Sequence, residues 1–139
     1  AYDKVENGDY YGAISDYTKA IELEPNDANA YFNRGIAKRR LEDYYGAISD
    51  YNKTIELKPD YADAYYNRGW SKSNLEDYYG AISDYNKAIE LDPDYADAYF
   101  GRALSKALLE NYNEACQDAR KAQQLGYDAA SELIKMICN

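Results

Sequence analysis

Three arginines spaced by 34 residues, Arg34, Arg68 and Arg102, run in step with four aspartates, Asp16, Asp50, Asp84 and Asp118. A guanidinium and a carboxylate held in register can form a forked, charge-assisted pair, or the arginines can face outward together and receive an acidic ligand. A half-buried guanidinium needs a partner, so a repeated Arg–Asp pair between packed helices is the first expectation and the ligand-facing set the second. Two cysteines, Cys116 and Cys138, lack the Cys-x-x-Cys spacing of a metal or redox centre. They lie eleven residues on either side of Tyr127. Antiparallel helices would therefore bring them to one level, where a disulfide and two buried free thiols both remain open.

Catalysis has little to work with. The chain has no histidine, hence no imidazole base, neither cysteine sits in an activating motif, and no Gly-x-x-x-x-Gly-Lys phosphate loop occurs. Carboxylates are plentiful, but they recur with a fixed period, as helix caps and solvated faces do. A carboxylate enzyme would need them to converge on one site with a raised pKa. The expectation is a non-enzymatic protein with no cofactor and no metal.

The 139 residues carry 25 acidic and 16 basic side chains, a net charge of −9, and the longest basic run is Lys38, Arg39 and Arg40. A phosphate backbone would be repelled over most of such a surface, so nucleic acid is not an expected partner. No stretch approaches the roughly 20 apolar residues of a membrane helix, and AYDKVENGDY has neither the charged start nor the apolar middle of a signal peptide. Membrane insertion is not expected. The cytoplasm is the first expectation for the compartment, with export following if Cys116 and Cys138 are bonded.

The elements that position these residues follow from internal repetition. Residues 41–65 and 75–99 differ only at Thr54/Ala88 and Lys58/Asp92, and the same shift of 34 aligns Pro25, Pro59 and Pro93, and Gly12, Gly46 and Gly80. Each unit holds two helices of about 14 residues between its stop signals. Ala47, Ile48, Tyr51 and Ile55 share one side of the second helix. Asp43 and Asp77 are expected to cap that helix, and Asp60 and Asp94 the next first helix.

These residues resemble the tetratricopeptide repeat, whose 34-residue pattern runs aromatic, Leu-Gly, Tyr, then Ala-x-x-x-aromatic, then Pro. Tyr31, Gly35, Ala47, Tyr51 and Pro59 fill it once, and Tyr65, Gly69, Ala81, Tyr85 and Pro93 fill it again. In the next unit Tyr99, Ala103 and Ala115 hold, while Ala119 replaces the aromatic and Tyr127 the proline. Arg34, Arg68 and Arg102 replace the usual leucine, and Lys38, Lys72 and Lys106 the usual later tyrosine. The resemblance implies an all-α fold, a right-handed superhelical solenoid of antiparallel helix pairs. It implies one domain over 1–139: a truncated repeat 1–27, repeats 28–61 and 62–95, a degenerate repeat 96–129 and a capping helix 130–139. Counting back from Gly35 by 34 reaches Ala1, so the chain is expected to open halfway down a first helix, keeping its end YDKVEN, as part of a longer protein.

The resemblance further implies that the first helices line a concave groove for a peptide or protein segment. Carried over unit by unit, its residues are Phe32, Asn33, Ile36, Arg39 and Arg40; then Tyr66, Asn67, Trp70 and Asn74; then Phe100 and Leu104. Tyr31, Tyr65 and Tyr99 supply the family's core aromatic, which leaves Phe32, Tyr66 and Phe100 as surplus to packing and open to a ligand, or else as further core. Family members that grip a chaperone's acidic C-terminus use lysines, asparagines and an arginine. Only Asn67 matches that clamp, so such a ligand is not expected. Asn33 and Asn67 resemble the asparagine ladder that holds a peptide backbone in other members, and Gly101 interrupts it. The expected function is protein–protein interaction. The alternative is a structural array or self-associating spacer whose groove is filled by another copy.

Overall fold

Short polar caps start one set of helices. In the computed structural model, Asp9, Asp43 and Asp77 each accept a 3.0 Å hydrogen bond from the backbone N–H of Gly12, Gly46 and Gly80. A Cβ at any of these glycines would collide with the capping carboxylate. The helices so begun are α1 (Tyr10–Leu23), α3 (Tyr44–Leu57) and α5 (Tyr78–Leu91). Between and after them lie α2 (Ala28–Arg40), α4 (Ala62–Asn74), α6 (Ala96–Leu108), α7 (Tyr112–Gln124) and α8 (Ala130–Ile137). The structure describes Lys4 and residues 6–139, and among these there are eight such helices and no strand. Lys4 and Glu6 are helical and Asn7 is already in a turn, while Tyr2, Asp3 and Val5 of the expected YDKVEN helix end lie outside the described residues.

The expectation for Asp60 and Asp94 is corrected. The N-caps of α4 and α6 are Tyr61 and Tyr95, and neither makes a side-chain cap bond. Only α2 has the aspartate in the right place, Asp27, which accepts from the N–H groups of Asn29 and Ala30. Asp60 and Asp94 stand one residue too early, and the tyrosines that displace the cap bring rings into contact with the neighbouring helix, as described below.

Each first helix ends in a tight reversal. The N–H of Asp43 bonds to the carbonyl of Lys38 and that of Glu42 to Arg39, and the same pattern recurs at Asp77 and Asn111. This Schellman geometry puts one residue in the left-handed region, and here it is Glu42, Glu76 and Glu110 at φ of 60° to 64°. Gly126 takes the matching position after α7. Glutamate bears the Cβ strain that glycine avoids. Replacing Glu76 by glycine is expected to raise the unfolding free energy by about 0.5–1 kcal/mol, read as a denaturant midpoint shift at constant slope.

Consecutive helices pack as antiparallel pairs, wound into a right-handed superhelical solenoid. The core between them is built from small residues, with one buried ring in the α2–α3 pair and one in the α4–α5 pair. Ala13, Ala47, Ala81 and Ala115 are fully buried, and Tyr51 and Tyr85 are the largest fully buried side chains. Ile48 and Ile55 are only half-buried; the fully buried stripe of α3 is Ala47, Asp50, Tyr51 and Thr54. Gly35 lets α2 approach the Tyr51 ring, since a Cβ there would lie 2.6 Å from Cε1. Gly69 does the same for Tyr85 at 3.1 Å. Where Ala119 stands in place of the ring, Ala103 stands in place of the glycine, and Leu133 of α8 completes that part of the core.

Cys116 and Cys138 form a disulfide with Cα atoms 5.4 Å apart, fastening the end of α8 to α7. The two alternatives left open by spacing are thus resolved by the turn at Tyr127, which brings the Cβ atoms face to face. The bridge closes a loop of sequence separation 22. Its reduction is expected to cost about 3 kcal/mol by restoring chain entropy to the unfolded state. A thiol titration in denaturant without reductant should count no free thiol, and the melting temperature should fall when a dithiol reductant is added.

Candidate functional site

The repeated arginines are engaged with protein. Arg34 donates to Asp50 through Nε at 2.9 Å and Nη2 at 2.7 Å, and Arg68 and Arg102 hold Asp84 and Asp118 in the same fork. The third donor, Nη1, reaches back to the preceding pair: to Thr18 at 3.3 Å, Asn52 at 2.9 Å and Asn86 at 2.9 Å. Lys38, Lys72 and Lys106 place a second cation within 3.0–3.1 Å of the same carboxylates. Each aspartate, 3–6% exposed, therefore joins two helices of its own pair and the arginine ties that pair to the one before. Hydrogen bonding to Asp50 raises the Arg34 pKa further, against the pull of burial. The ligand-facing reading of these arginines is overturned, because their donors are spent inside the fold.

The groove residues sort differently. Tyr66, Trp70 and Asn74 of α4 and Phe100 and Leu104 of α6 line one hollow of about 350 Å³. Phe32, Asn33, Ile36 and Arg40 lie on α2, outside that lining, but Arg39 reaches across: its guanidinium stacks 4.8 Å from the centroid of the Trp70 ring. The buried Nε of Arg39 has no hydrogen-bond partner, and neither Arg39 nor Arg40 forms an ion pair with a described residue. Such a cation over an indole is held by the ring's negative face. Burial pushes the Tyr51 phenol up, and the same cation acts against that larger push to lower its pKa.

Two sequence expectations are corrected here. Asn67 is only 8% exposed and donates through Nδ2 to the carbonyl of Asp63 on its own helix, so it is not a free rung for a peptide backbone. Asn74 likewise donates to the Trp70 carbonyl, although it stays exposed. Phe32, Tyr66 and Phe100 are not surplus to packing. Their ring centroids lie 4.8 Å from Tyr61, 5.1 Å from Tyr95 and 4.6 Å from Tyr127. Phe32 and Tyr66 also lean on Tyr51 and Tyr85 at 5.9 and 5.8 Å. They are half-buried, presenting one edge to the groove. Burial pushes the Tyr66 phenol up to about 12.

The turn tyrosines explain this packing. Tyr61 donates to Asn29 at 3.1 Å and Tyr95 to Asp63 at 2.5 Å, so each ring bridges two successive first helices. Burial, with that bond to Asp63, raises the Tyr95 pKa. Tyr127 stands where the repeat pattern has proline, yet its ring supports Phe100 as Tyr95 supports Tyr66. Sequence reasoning missed Tyr127 as a groove residue, and also Tyr78 and Tyr85, which line the hollow from α5. The only available signal was Gly101, whose missing side chain opens the floor over Tyr85.

A solenoid of antiparallel helix pairs with an aromatic concave face is the architecture of a helical-repeat protein. Family models for the tetratricopeptide repeat match residues 28–61 and 62–95, with related repeat models matching 1–41 and 84–117. The chain belongs to the tetratricopeptide repeat family, whose fold serves as a protein-interaction module and is generally non-enzymatic. Comparison with curated proteins finds no match. Among solved structures, MamA superposes with a TM-score of 0.91 at 26% identity, covering 97% of this chain and 80% of that one. The first repeat domain of Spaghetti (RPAP3), bound to the HSP90 peptide SRMEEVD, gives 0.77 at 25% identity over 79% of this chain and 89% of that one. The Arabidopsis OM64 repeat domain gives 0.78 at 26% identity over 80% and 93%. No helix of the described residues is long and apolar enough to cross a membrane.

Proposed function

We propose that the chain is a non-enzymatic interaction module whose concave groove takes a segment of another protein through apolar anchors, with Trp70 at its centre. The observation that carries this is the hollow between α4 and α6. It combines an accessible indole with the exposed Leu104 and Leu108, and on that indole stacks an arginine without an ion pair to a described residue, in a chain of net charge −9. Grooves of this make-up concentrate affinity in a few aromatic anchors while polar groups fix direction. The Spaghetti domain with its bound peptide supports the reading by likeness of fold. The ligand chemistry differs, because the one residue matching the acidic-tail clamp, Asn67, is turned into its own helix.

As the only indole, Trp70 should change its emission as a partner peptide fills the groove. Trp70→Ala is expected to weaken that association by about 2 kcal/mol. Tyr79, 76% exposed and not part of the hollow, is the control. Calorimetric titrations with both variants check this, and equal losses from the two would reject the groove.

A further inference from the structure

The floor of the hollow lies where Gly101 meets Tyr85. One period before Gly101 stands Asn67, whose side chain is buried and donates to the Asp63 carbonyl. At 101 there is no side chain, and a Cβ there would stand 2.6 Å from Cζ and 2.9 Å from the hydroxyl of Tyr85. Tyr85 is 1% exposed and lines the hollow, and its hydroxyl, which makes no hydrogen bond to a described residue, is not sealed off as the buried, unpaired hydroxyl of Tyr51 is. Burial first, then the neighbouring Tyr66 and Asp84, raise its pKa, so it stays a neutral phenol able to donate and accept. The walls around it are Trp70, Phe100, Leu104 and Leu108.

A hydroxyl at the foot of apolar walls offers one donor and one acceptor to whatever enters the hollow. A side chain entering from the groove must be broad and apolar along its length and must end in a hydrogen-bonding atom. Beside the entrance, on the same indole that forms one wall, lies the Arg39 guanidinium with no carboxylate.

Resting on the groove reading above, we infer that the space over Gly101 is a side-chain subsite for a tyrosine of the partner segment. The partner's phenol meets the Tyr85 hydroxyl, and a carboxylate two or three residues away in the partner pairs with Arg39. Tyrosine satisfies both demands of the pocket. The neighbouring acid follows from charge complementarity, with the Arg39 guanidinium 4.8 Å from the centroid of the indole that walls the hollow.

The test uses synthetic nonapeptides, with alanine and serine at the remaining positions. The central residue is tyrosine, phenylalanine, leucine or lysine, and aspartate or asparagine stands three positions away. Trp70 emission and calorimetry are the readouts. With the native protein, the tyrosine–aspartate peptide should bind about 3–10-fold more tightly than either its phenylalanine or its asparagine counterpart. Tyr85→Phe, which removes only the hydroxyl and should leave the melting temperature in place, should erase the preference for tyrosine over phenylalanine. Arg39→Gln should erase the preference for aspartate. Gly101→Asn, checked by melt, should block every aromatic peptide.

The subsite is overturned if peptides bind with no preference for tyrosine, or if the preference survives Tyr85→Phe. It is also overturned if Trp70 emission changes with the protein's own concentration and Tyr79→Ala abolishes that change, because the occupant is then a second copy. If no peptide perturbs Trp70 or releases heat, the groove reading itself fails instead.

Discussion

Replacing Asp84 by alanine is expected to lower the unfolding free energy by about 3 kcal/mol, among the largest losses of any single polar substitution in this chain. The carboxylate is 3% exposed and holds Arg68 by two hydrogen bonds and Lys72 by one contact of 3.1 Å. Its removal strands two cations in a half-buried site, where neither regains full hydration. Arg68→Leu should cost less, about 1–2 kcal/mol, because Lys72 still neutralises Asp84 and the new side chain is apolar where the family has leucine. What the leucine cannot replace is the bond from Nη1 to Asn52 of the preceding pair. Urea melts of the two single variants give the order. An Asp84→Ala variant as stable as Arg68→Leu would mean that the ladder contributes little.

The second expectation concerns ring and glycine as a unit. Gly35→Ala should cost about 2–3 kcal/mol, since the added methyl would stand 2.6 Å from the Tyr51 ring, which is fully buried and has nowhere to turn. Tyr51→Ala should cost about 3–5 kcal/mol through the cavity it leaves. The double variant should lose less than the sum by roughly 1–2 kcal/mol, because the methyl then enters space the ring has vacated. The α6–α7 pair already contains this solution, with Ala103 against Ala119 and Leu133 filling the remainder. Additive losses in a double-mutant cycle would show that the two positions do not compete for one space.

Both expectations bear on what can be read from a repeat. The period of 34 and the Asp-x-x-Gly starts settled the class of fold, because helix length and caps are local properties that repetition makes unmistakable. Asp43 and Asp77 cap as expected because a cap depends on residues within one turn. The Arg–Asp pairing was also legible, since two side chains recurring in step must meet at the same place in every unit. Asp60 and Asp94 fail as caps because the cap position is taken by Tyr61 and Tyr95, whose rings pack against Phe32 and Tyr66 of the preceding first helix.

The groove divides along the same line. That Phe32, Asn33, Tyr66, Asn67, Trp70 and Phe100 share helix faces follows from helical spacing, and the sequence alone determines it. Which of them stay open does not follow, because burial depends on what the next helix pair brings. Asn67 spends its amide on its own backbone, whereas Trp70 keeps its indole under Arg39. The disulfide likewise required the turn at Tyr127 before two cysteines at one level could become one bond. The floor of the hollow is the clearest tertiary effect: a glycine on α6 matters only because a tyrosine on α5 lies beneath it, and their contact joins residues 16 positions apart that no local pattern connects.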